Sequence, residues 1–435
     1  MENLVTRRDY MKMLRDSRGL TDVIKVVTGM RRSGKSTLLE MYRDELVSNG
    51  VAPADIISIN FETFEFRDVR DRQELDRILQ DAIGDSGTKY VFLDEIQNVS
   101  GWEESLSSLV NTRRCDVYIT GSNSKLLSSD LTTHIAGRFI EIPVLPLSFS
   151  EYMELHQGDV TERFNQYLRY GSLPEIDPDR GDRVCISQLQ GIFNTVLVND
   201  IIQRLSSNNG NMLIDIARFL YTNIGNETSL DSIARTLNIS NDTVKRYLSK
   251  MEEAFLFYRS ERYDIIGKKV LKTNGKFYAS DIGLHNVALF GAGGTDISRP
   301  LENIVYLELL RRGYIVRTGC YRDREVDFTA IRGGKTEYYQ VCLTMLSEET
   351  REKEIRSLRS IDDNFRKTVL TLDRFGLGDD GGISLVNVID WLLREDGIAP
   401  SDSGSERPGP TGTRRRSCLP PSSHRRPSGT GHPIP

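Results

Sequence analysis

The chain has 435 residues, of which 38% are hydrophobic and 27% charged, and 57 Lys and Arg against 62 Asp and Glu leave a net charge of −5. This composition is typical of globular proteins and excludes a disulfide mini-protein, a collagen-like chain and a wholly disordered chain, while the length predicts roughly two to four domains. The five cysteines form no CxxC pair, and no apolar stretch approaches the length of a membrane helix, so we expect a cytoplasmic protein with reduced thiols and no membrane association.

A phosphate-binding motif lies near the start of the chain. Residues 29–36 read Gly-Met-Arg-Arg-Ser-Gly-Lys-Ser, which fits G-x-x-x-x-G-K-[ST], between a β-rich run at 23–28 and a helix-like run at 37–46. The backbone N–H groups of such a loop face phosphate oxygens at a helix N-terminus, its Lys supplies a cation and its Ser hydroxyl ligates Mg²⁺. The sequence therefore predicts an ATP site, formed by Gly29, Arg31, Arg32, Ser33, Gly34, Lys35, Ser36 and Thr37.

An acidic pair follows the next long apolar run. Residues 90–95 read Tyr-Val-Phe-Leu-Asp-Glu, and we expect Asp94 to hold Mg²⁺ together with Ser36. Glu95, one residue on, is placed to polarise the attacking water as a general base. Many strands end in a solvated acid, but this pair follows a complete phosphate loop, which favours the catalytic interpretation.

A third short β run, residues 117–123, ends in small polar residues. The order of phosphate loop, extra strand at 56–60, Asp-Glu strand and strand with a polar end resembles the AAA-type ATPases. The resemblance implies that Asn123 is the sensor 1 residue that orients the water. It also implies that Arg138, just before the β-rich run 140–147, is an arginine finger acting on the γ-phosphate, often from a neighbouring subunit of a homo-oligomer. The alternative for Arg138 is an ion-paired surface arginine.

The predicted ATPase domain covers residues 1–148, and residues 149–205 follow as a helical lid or connector with apolar residues at helical spacing. Residues 206–282 then show three amphipathic helices and a hairpin, an order typical of a winged helix-turn-helix. Lysines along the hairpin and on the third helix favour binding of double-stranded DNA. Docking of a protein partner through the same module stays open. The hairpin lysines are Lys268, Lys269, Lys272 and Lys276.

The last predicted domain covers residues 283–396. Its residues 299–393 run helix, strand, strand, strand, helix, strand, an order that resembles the restriction-endonuclease-like PD-(D/E)XK fold. The resemblance places Glu302 and Asp327 at the metal site of such nucleases. The third motif reads Gln340-Val341-Cys342, where those nucleases carry Glu and Lys. A cysteine has no positive charge at neutral pH and does not suit Mg²⁺, so we expect a nuclease-derived fold kept for interaction.

The last segment, residues 397–435, is basic and rich in proline. Eight of the fourteen prolines lie in residues 400–435, beside six arginines and two acids. Because such a segment cannot bury a core, we expect it to be disordered, and we assign it no function.

Residues 1–393 as a whole resemble the bacterial and archaeal two-part ATPases, in which an AAA-type module precedes a domain with a nuclease-like fold. We therefore expect an α/β protein that hydrolyses ATP as a switch or motor and acts on DNA or on a protein partner. Two alternatives are an ATP-gated binding protein with negligible turnover and a metal-dependent nuclease regulated by ATP. The intact Asp94-Glu95 pair disfavours the first alternative, and the missing lysine disfavours the second.

Overall fold

The computed structural model describes residues 4–84, 87–122, 126, 137–202, 210–271, 274–289 and 297–394. The predictions for Asn123, Lys272 and the tail at 397–435 therefore lie outside the described residues. In the described part of the chain, every helix is too short or too polar to cross a bilayer.

A five-stranded parallel sheet forms the first module, in the order β2-β3-β4-β1-β5. Helices cover both faces, and β1 and β4 are therefore buried along their whole length. Alternate residues of β1 enter different cores, with Val26 on one side of the sheet and Val27 on the other. The elements are α1 (Arg8–Asp16), β1 (Ile24–Thr28), α2 (Lys35–Ser48), β2 (Ile56–Asn60), α3 (Arg72–Ile83), β3 (Lys89–Asp94), α4 (Trp102–Thr112), β4 (Cys115–Gly121) and β5 (Phe139–Pro143).

This sheet confirms the predicted α/β fold of the first module. Parallel strands end at a common edge, and the chain leaves β1 and β3 there at the phosphate loop and at the acidic pair. Two distant stretches of sequence therefore meet at one edge, as ligand sites in open α/β sheets do.

The helical connector contains α5 (Phe149–Leu155), α6 (Val160–Tyr170), α7 (Asp182–Thr195) and a π-helical segment at Val196–Ile201. Its first helix begins with a capping box, in which Ser148 accepts a bond from the Glu151 N–H and the Glu151 carboxylate accepts one from the Ser148 N–H. The helices pack through aromatic edges, such as that of Phe149 against Phe164.

Three helices follow, α8 (Gly210–Thr222), α9 (Leu230–Leu237) and α10 (Asn241–Glu253). Asn238 adopts a left-handed conformation with φ of 52° and turns the chain between α9 and α10. A small antiparallel sheet, in the order β6-β10-β7, completes this three-helix module. Its strands are β6 (Glu227–Thr228), β7 (Phe257–Ser260) and β10 (Gly275–Ala279).

The last module is built on an eight-stranded sheet in the order β15-β16-β14-β13-β12-β11-β8-β9. The elements after residue 297 follow the predicted order and are extended by β15, β16 and a last helix. They are α12 (Ser298–Arg311), β11 (Ile315–Tyr321), β12 (Arg324–Arg332), β13 (Lys335–Cys342), α13 (Glu348–Arg359), β14 (Arg366–Thr371), β15 (Gly378–Asp380), β16 (Ile383–Asn387) and α14 (Val388–Leu393). The short helix α11 (Ile282–Ala288) precedes them.

The structure corrects the predicted hairpin. Strands β7 and β10 do pair, but the chain between them adds β8 (Arg262–Asp264) and β9 (Lys269–Val270) to the last sheet, where β8 pairs with β11 in parallel. Lys276 is only 4% exposed, because it points into a cluster of carboxylates of the last module. The prediction that Lys276 belongs to a DNA-contacting lysine row is therefore wrong.

Candidate functional site

The phosphate loop has a backbone that only glycine can supply at two positions. Gly29 has a φ of 141°, and a Cβ added there would lie 2.2 Å from the Val144 carbonyl oxygen. Gly34 has a φ of 93° and directly precedes α2. Both glycines therefore allow the chain to turn from β1 into α2 with its N–H groups around one small space.

Lys35 lies inside this turn and is 5% exposed. Its ammonium donates a hydrogen bond to the Met30 carbonyl at 2.9 Å. Burial lowers the pKa of Lys35, while the charges of Glu95 and Asp94 oppose that shift. The loop therefore holds the Lys35 side chain near both predicted acids, where a lysine of such a loop contacts the β- and γ-phosphates of a nucleotide.

Asp94 ends β3 and is held from two sides. The Thr120 hydroxyl donates to Oδ1, and the Asn60 amide donates to Oδ2 at 2.8 Å. Burial raises the pKa of Asp94, and the neighbouring Thr120 and Ser36 hydroxyls oppose that shift. Ser36 and Asp94, the two predicted Mg²⁺ ligands, line the same cavity of about 280 Å³.

Glu95 is 8% exposed and adopts a left-handed conformation, with φ of 54°. Its N–H donates to the Thr120 hydroxyl at 3.0 Å, and its carboxylate accepts a bond from the Gln97 amide. The Ser122 hydroxyl lies 3.4 Å from the same carboxylate. A carboxylate with two polar neighbours in a buried position is suited to hold and orient a water molecule.

Thr120, Asn60 and Gln97 were not among the predicted site residues. Asn60 pairs with Asp94 in the register of β2 and β3, and Leu93 pairs with Ile119, one residue before Thr120. The available signal was a polar residue near the carboxyl end of each strand adjoining β3. That signal identifies a site residue only once the strand order is known.

Arg7 ties the phosphate loop to the connector and was not predicted from the sequence. It is 4% exposed, and its guanidinium donates to the Ser33 carbonyl at 3.1 Å and to the Leu145 carbonyl at 2.6 Å. A third bond, of 2.9 Å, joins it to Glu151. The Ser33 hydroxyl is itself buried without a hydrogen-bond partner among the described residues. Arg7, which lies outside the phosphate loop, therefore holds the loop through the Ser33 carbonyl of its backbone.

The two loop arginines have different surroundings. Arg32 is exposed and pairs with Glu175 at 2.9 Å. Arg31 forms an ion pair with Asp200 of the π-helical segment, with Nε to Oδ2 at 3.1 Å and Nη2 to Oδ1 at 3.3 Å. Glu62 lies 3.4 Å from the same guanidinium. Sequence reasoning did not find Asp200, which lies 169 residues from Arg31.

A cavity of about 850 Å³ opens beside the loop. Gly34 and Thr37 line it on the side of α2, the first residues of the described chain line a second side, and the connector lines a third. His156 on the connector side has a buried Nε2 without a hydrogen-bond partner among the described residues. Burial lowers the pKa of His156 and so favours a neutral ring. The cavity is therefore a mixed polar and apolar space that begins where the phosphate loop ends.

Arg138 lies at the opposite edge of the sheet. Its carbonyl accepts a bond from the Ile24 N–H at the start of β1, and its side chain donates to Asn111 at 3.0 Å. The phosphate loop begins after Thr28, roughly 13 Å further along β1 at the usual strand rise. Arg138 therefore does not reach the phosphate loop of its own chain.

The predicted residues of the last module also meet, but around a lysine. Lys276 reaches from β10 to Glu302 at 3.0 Å and to Glu325 at 2.8 Å. Tyr278 donates to the same Glu302 oxygen at 2.7 Å. Burial opposes the charged form of Lys276, but Glu302, Asp327 and Glu325 together raise its pKa, so it stays cationic.

Asp327 is 9% exposed and accepts a bond from the Val341 N–H at 2.9 Å. Burial and the neighbouring Glu302 raise its pKa, while Lys276 opposes that shift. Gln340 is engaged with Glu354 at 3.0 Å, and burial raises the pKa of the Cys342 thiol to about 12. Among the described residues, no group of three or more His, Cys, Asp or Glu side chains is arranged to hold a metal ion.

Comparison with known proteins agrees with this geometry. Residues 21–153 match a family model described as an AAA domain, and residues 161–296 match a domain of unknown function. The five-stranded parallel sheet with its phosphate loop and this match define the first module as an AAA-type P-loop ATPase fold.

An uncharacterized protein of Haemophilus influenzae is 38% identical to the chain over 405 residues, which cover 90% of this chain and 99% of that protein. The chain belongs to the same family as that protein. The uncharacterized protein MJ1544 of Methanocaldococcus jannaschii is 29% identical over 379 residues, covering 82% of this chain and 83% of its own length.

Two solved structures are more distantly similar. The Orc1 protein of Aeropyrum pernix in complex with DNA has a TM-score of 0.31 at 12% identity and covers 67% of this chain and 94% of its own. The replication initiator DnaA bound to AMPPCP and single-stranded DNA has a TM-score of 0.30 at 15% identity. The match covers 58% of this chain and 91% of the DnaA chain. Similarities this weak support no conclusion about what this chain binds.

Proposed function

We propose that this protein binds and hydrolyses ATP at the phosphate loop and uses the nucleotide state to control an interaction of its later modules. The observation that carries the proposal is the meeting of Lys35, Asp94 and Glu95 at one edge of the sheet. Lys35 would neutralise phosphate charge, and Glu95 would take the proton of the attacking water. The cavity beside Thr37 would hold the nucleoside.

Mg²⁺ fits the same edge of the sheet. The Ser36 hydroxyl and the Asp94 carboxylate line one small cavity there, and both are the hard oxygen ligands that this ion prefers. These two residues would hold the ion, which supplies positive charge against the β- and γ-phosphates when bound. Asn60 and Thr120 fix the orientation of Asp94 through its two oxygens.

Double-stranded DNA is the partner that we propose for the three-helix module. The support comes from the exposed face of α10, where Asn241, Lys245 and Arg246 point away from the core of Val244 and Leu248. Lys268 and Lys269 are exposed as well. Exposed cations on one helix face are typical of phosphate contacts.

The test of this function is ATP turnover measured with and without duplex DNA, together with DNA affinity. A Lys245→Ala/Arg246→Ala variant is expected to bind DNA about tenfold more weakly and with a shallower salt dependence, because each lost phosphate contact reduces counterion release. Lys353→Ala, which removes an exposed lysine of α13, serves as the matched control. Unchanged DNA affinity in the double variant would show that α10 contacts something other than DNA.

We propose that Arg138 acts in a homo-oligomer on the phosphate loop of the next subunit, since it lies far from its own. Mixing Arg138→Ala with Lys35→Ala protein should then restore part of the ATPase activity that each variant lacks, because some interfaces pair an intact loop with an intact arginine. The measurement is phosphate release across mixing ratios. Absence of recovery, at concentrations where mixed oligomers form, would rule out action between subunits.

For the last module we propose a nuclease-derived fold without cleavage activity. Lys276 occupies the space between the carboxylates, and neither Gln340 nor Cys342 supplies the missing lysine. Plasmid cleavage by the wild-type protein that disappears in Asp327→Ala would contradict this assignment.

A further inference from the structure

The ion pair between Arg31 and Asp200 joins the phosphate loop to a segment that follows the predicted ATPase domain. Both guanidinium bonds reach the same carboxylate, at 3.1 and 3.3 Å. The Asp200 side chain is 3% exposed and that of Arg31 is 21% exposed. Removing both charges from water costs free energy, which is offset only while the two side chains pair with each other. If one partner is lost, the other remains as an uncompensated buried charge, and the two segments are no longer held together.

The pair lies within electrostatic reach of the phosphate-binding groups. The charge of Asp200 acts on Lys35, and the charge of Glu95 acts on Arg31. A guanidinium binds carboxylates and phosphates in the same bidentate geometry. Asp200 therefore uses the arginine surface that a nucleotide phosphate would use.

Asp200 belongs to the π-helical segment Val196–Ile201, and such segments are frequent at functional sites. Val196 and Ile201 are fully buried in the core that also contains Leu213 and Ile216 of α8. A change in the position of Asp200 would consequently move residues that pack against the three-helix module.

We propose that Asp200 competes with the terminal phosphate of ATP for Arg31, so that ATP, and not ADP, releases the π-helical segment. This inference rests on the proposed function, because it requires a nucleotide in the loop. Arg31 already contacts Asp200 and, more loosely at 3.4 Å, the exposed Glu62, and a γ-phosphate would bring a third anion to the same guanidinium. Repulsion between the phosphate and the buried Asp200 carboxylate then favours displacement of Asp200. ADP lacks that phosphate and leaves the pair intact. Asp200 would thus be a positioning residue that distinguishes triphosphate from diphosphate.

The test compares the affinities of AMPPCP and ADP in wild-type protein and in Asp200→Asn. The amide keeps the shape of the side chain and removes its charge, so the variant should bind AMPPCP about tenfold more tightly and ADP within about twofold of the wild type. Asp380→Asn is the matched control, since Asp380 also accepts two guanidinium hydrogen bonds, from Nε and Nη2 of Arg351 to its Oδ2, in the last module. That control should change neither affinity.

Hydrogen exchange of residues 196–202 supplies a readout that a merely structural role would not move. In the wild type, AMPPCP should increase exchange in this segment and ADP should not, whereas in Asp200→Asn neither nucleotide should change it. If Asp200→Asn fails to fold, Arg31→Gln replaces it and is expected to lose the AMPPCP-induced increase in exchange at residues 196–202, because the arginine that links the phosphate to Asp200 is gone.

Equal effects of Asp200→Asn on both nucleotides, or weaker binding of AMPPCP alone, would overturn the inference and leave the proposed function intact. For Arg31→Gln, an AMPPCP-induced increase in exchange equal to that of the wild type would do the same. Wild-type protein that binds neither nucleotide would overturn both.

Discussion

Lys35→Ala protein is expected to lose ATP binding, whereas Glu95→Gln protein keeps it. Lys35 is a buried cation inside the phosphate loop, and its loss leaves the phosphates without charge-assisted bonds, an effect of about 100-fold or more on the dissociation constant. Glu95 lies beside the loop and acts on water, so its amide should leave affinity within a few-fold of the wild type.

The measurement is equilibrium titration with a fluorescent ATP analogue. Lys89→Ala is a suitable control, because Lys89 pairs with Asp55 at the far edge of the same sheet. Its affinity should match that of the wild type. Wild-type affinity in Lys35→Ala would show that the nucleotide binds elsewhere.

Lys276→Met is expected to destabilise the protein by about 3–5 kcal/mol, because it leaves Glu302, Glu325 and the buried Asp327 without their shared cation. The lysine joins the three-helix module to the last sheet, so its loss weakens a contact between modules. Lys353→Met, at an exposed site on α13, should change stability little.

The loss of stability should depend on pH. The pKa of Asp327 in the folded state is raised above its unfolded value of about 3.9, so the folded protein binds this proton more tightly and its stability falls as the pH rises above that value. Without Lys276 the folded-state pKa of Asp327 rises further, so the loss of stability extends to higher pH. Thermal midpoints at pH 5 and pH 8 test this: the deficit of Lys276→Met should be larger at pH 8. If the thermal midpoint of Lys276→Met lay equally far below that of the wild type at pH 5 and pH 8, Lys276 would not act as the counter-ion of Asp327.

The phosphate loop and the Asp94-Glu95 pair could be predicted because each is a motif of contiguous residues beside a recognisable strand. The residues that orient these motifs could not be predicted. Thr120 and Asn60 reach Asp94 only through the strand order β2-β3-β4, and Asp200 reaches Arg31 across 169 residues. Such contacts depend on the tertiary arrangement, which a single sequence does not specify.

Lys276 shows how a local pattern can mislead. A lysine in a basic hairpin is usually solvated, and the two-residue alternation of β10 does not reveal which side meets another module. Strand β9 has two residues and β8 has three, which is too short to show an alternation of polar and apolar residues. Their pairing with the last sheet could therefore not be predicted from the sequence. The order of elements in the last module was predictable because its helices and main strands are longer.

The central claim is that the phosphate loop hydrolyses ATP with Glu95 as the base. Its most direct test is phosphate release from saturating Mg-ATP by wild-type and Glu95→Gln protein, purified identically so that a contaminating ATPase would appear in both. We expect steady release by the wild type. In Glu95→Gln the rate should be lower by a factor of about 100 or more, because general-base catalysis typically contributes at least this factor. Equal rates in the two proteins would contradict the assignment of Glu95 as the base.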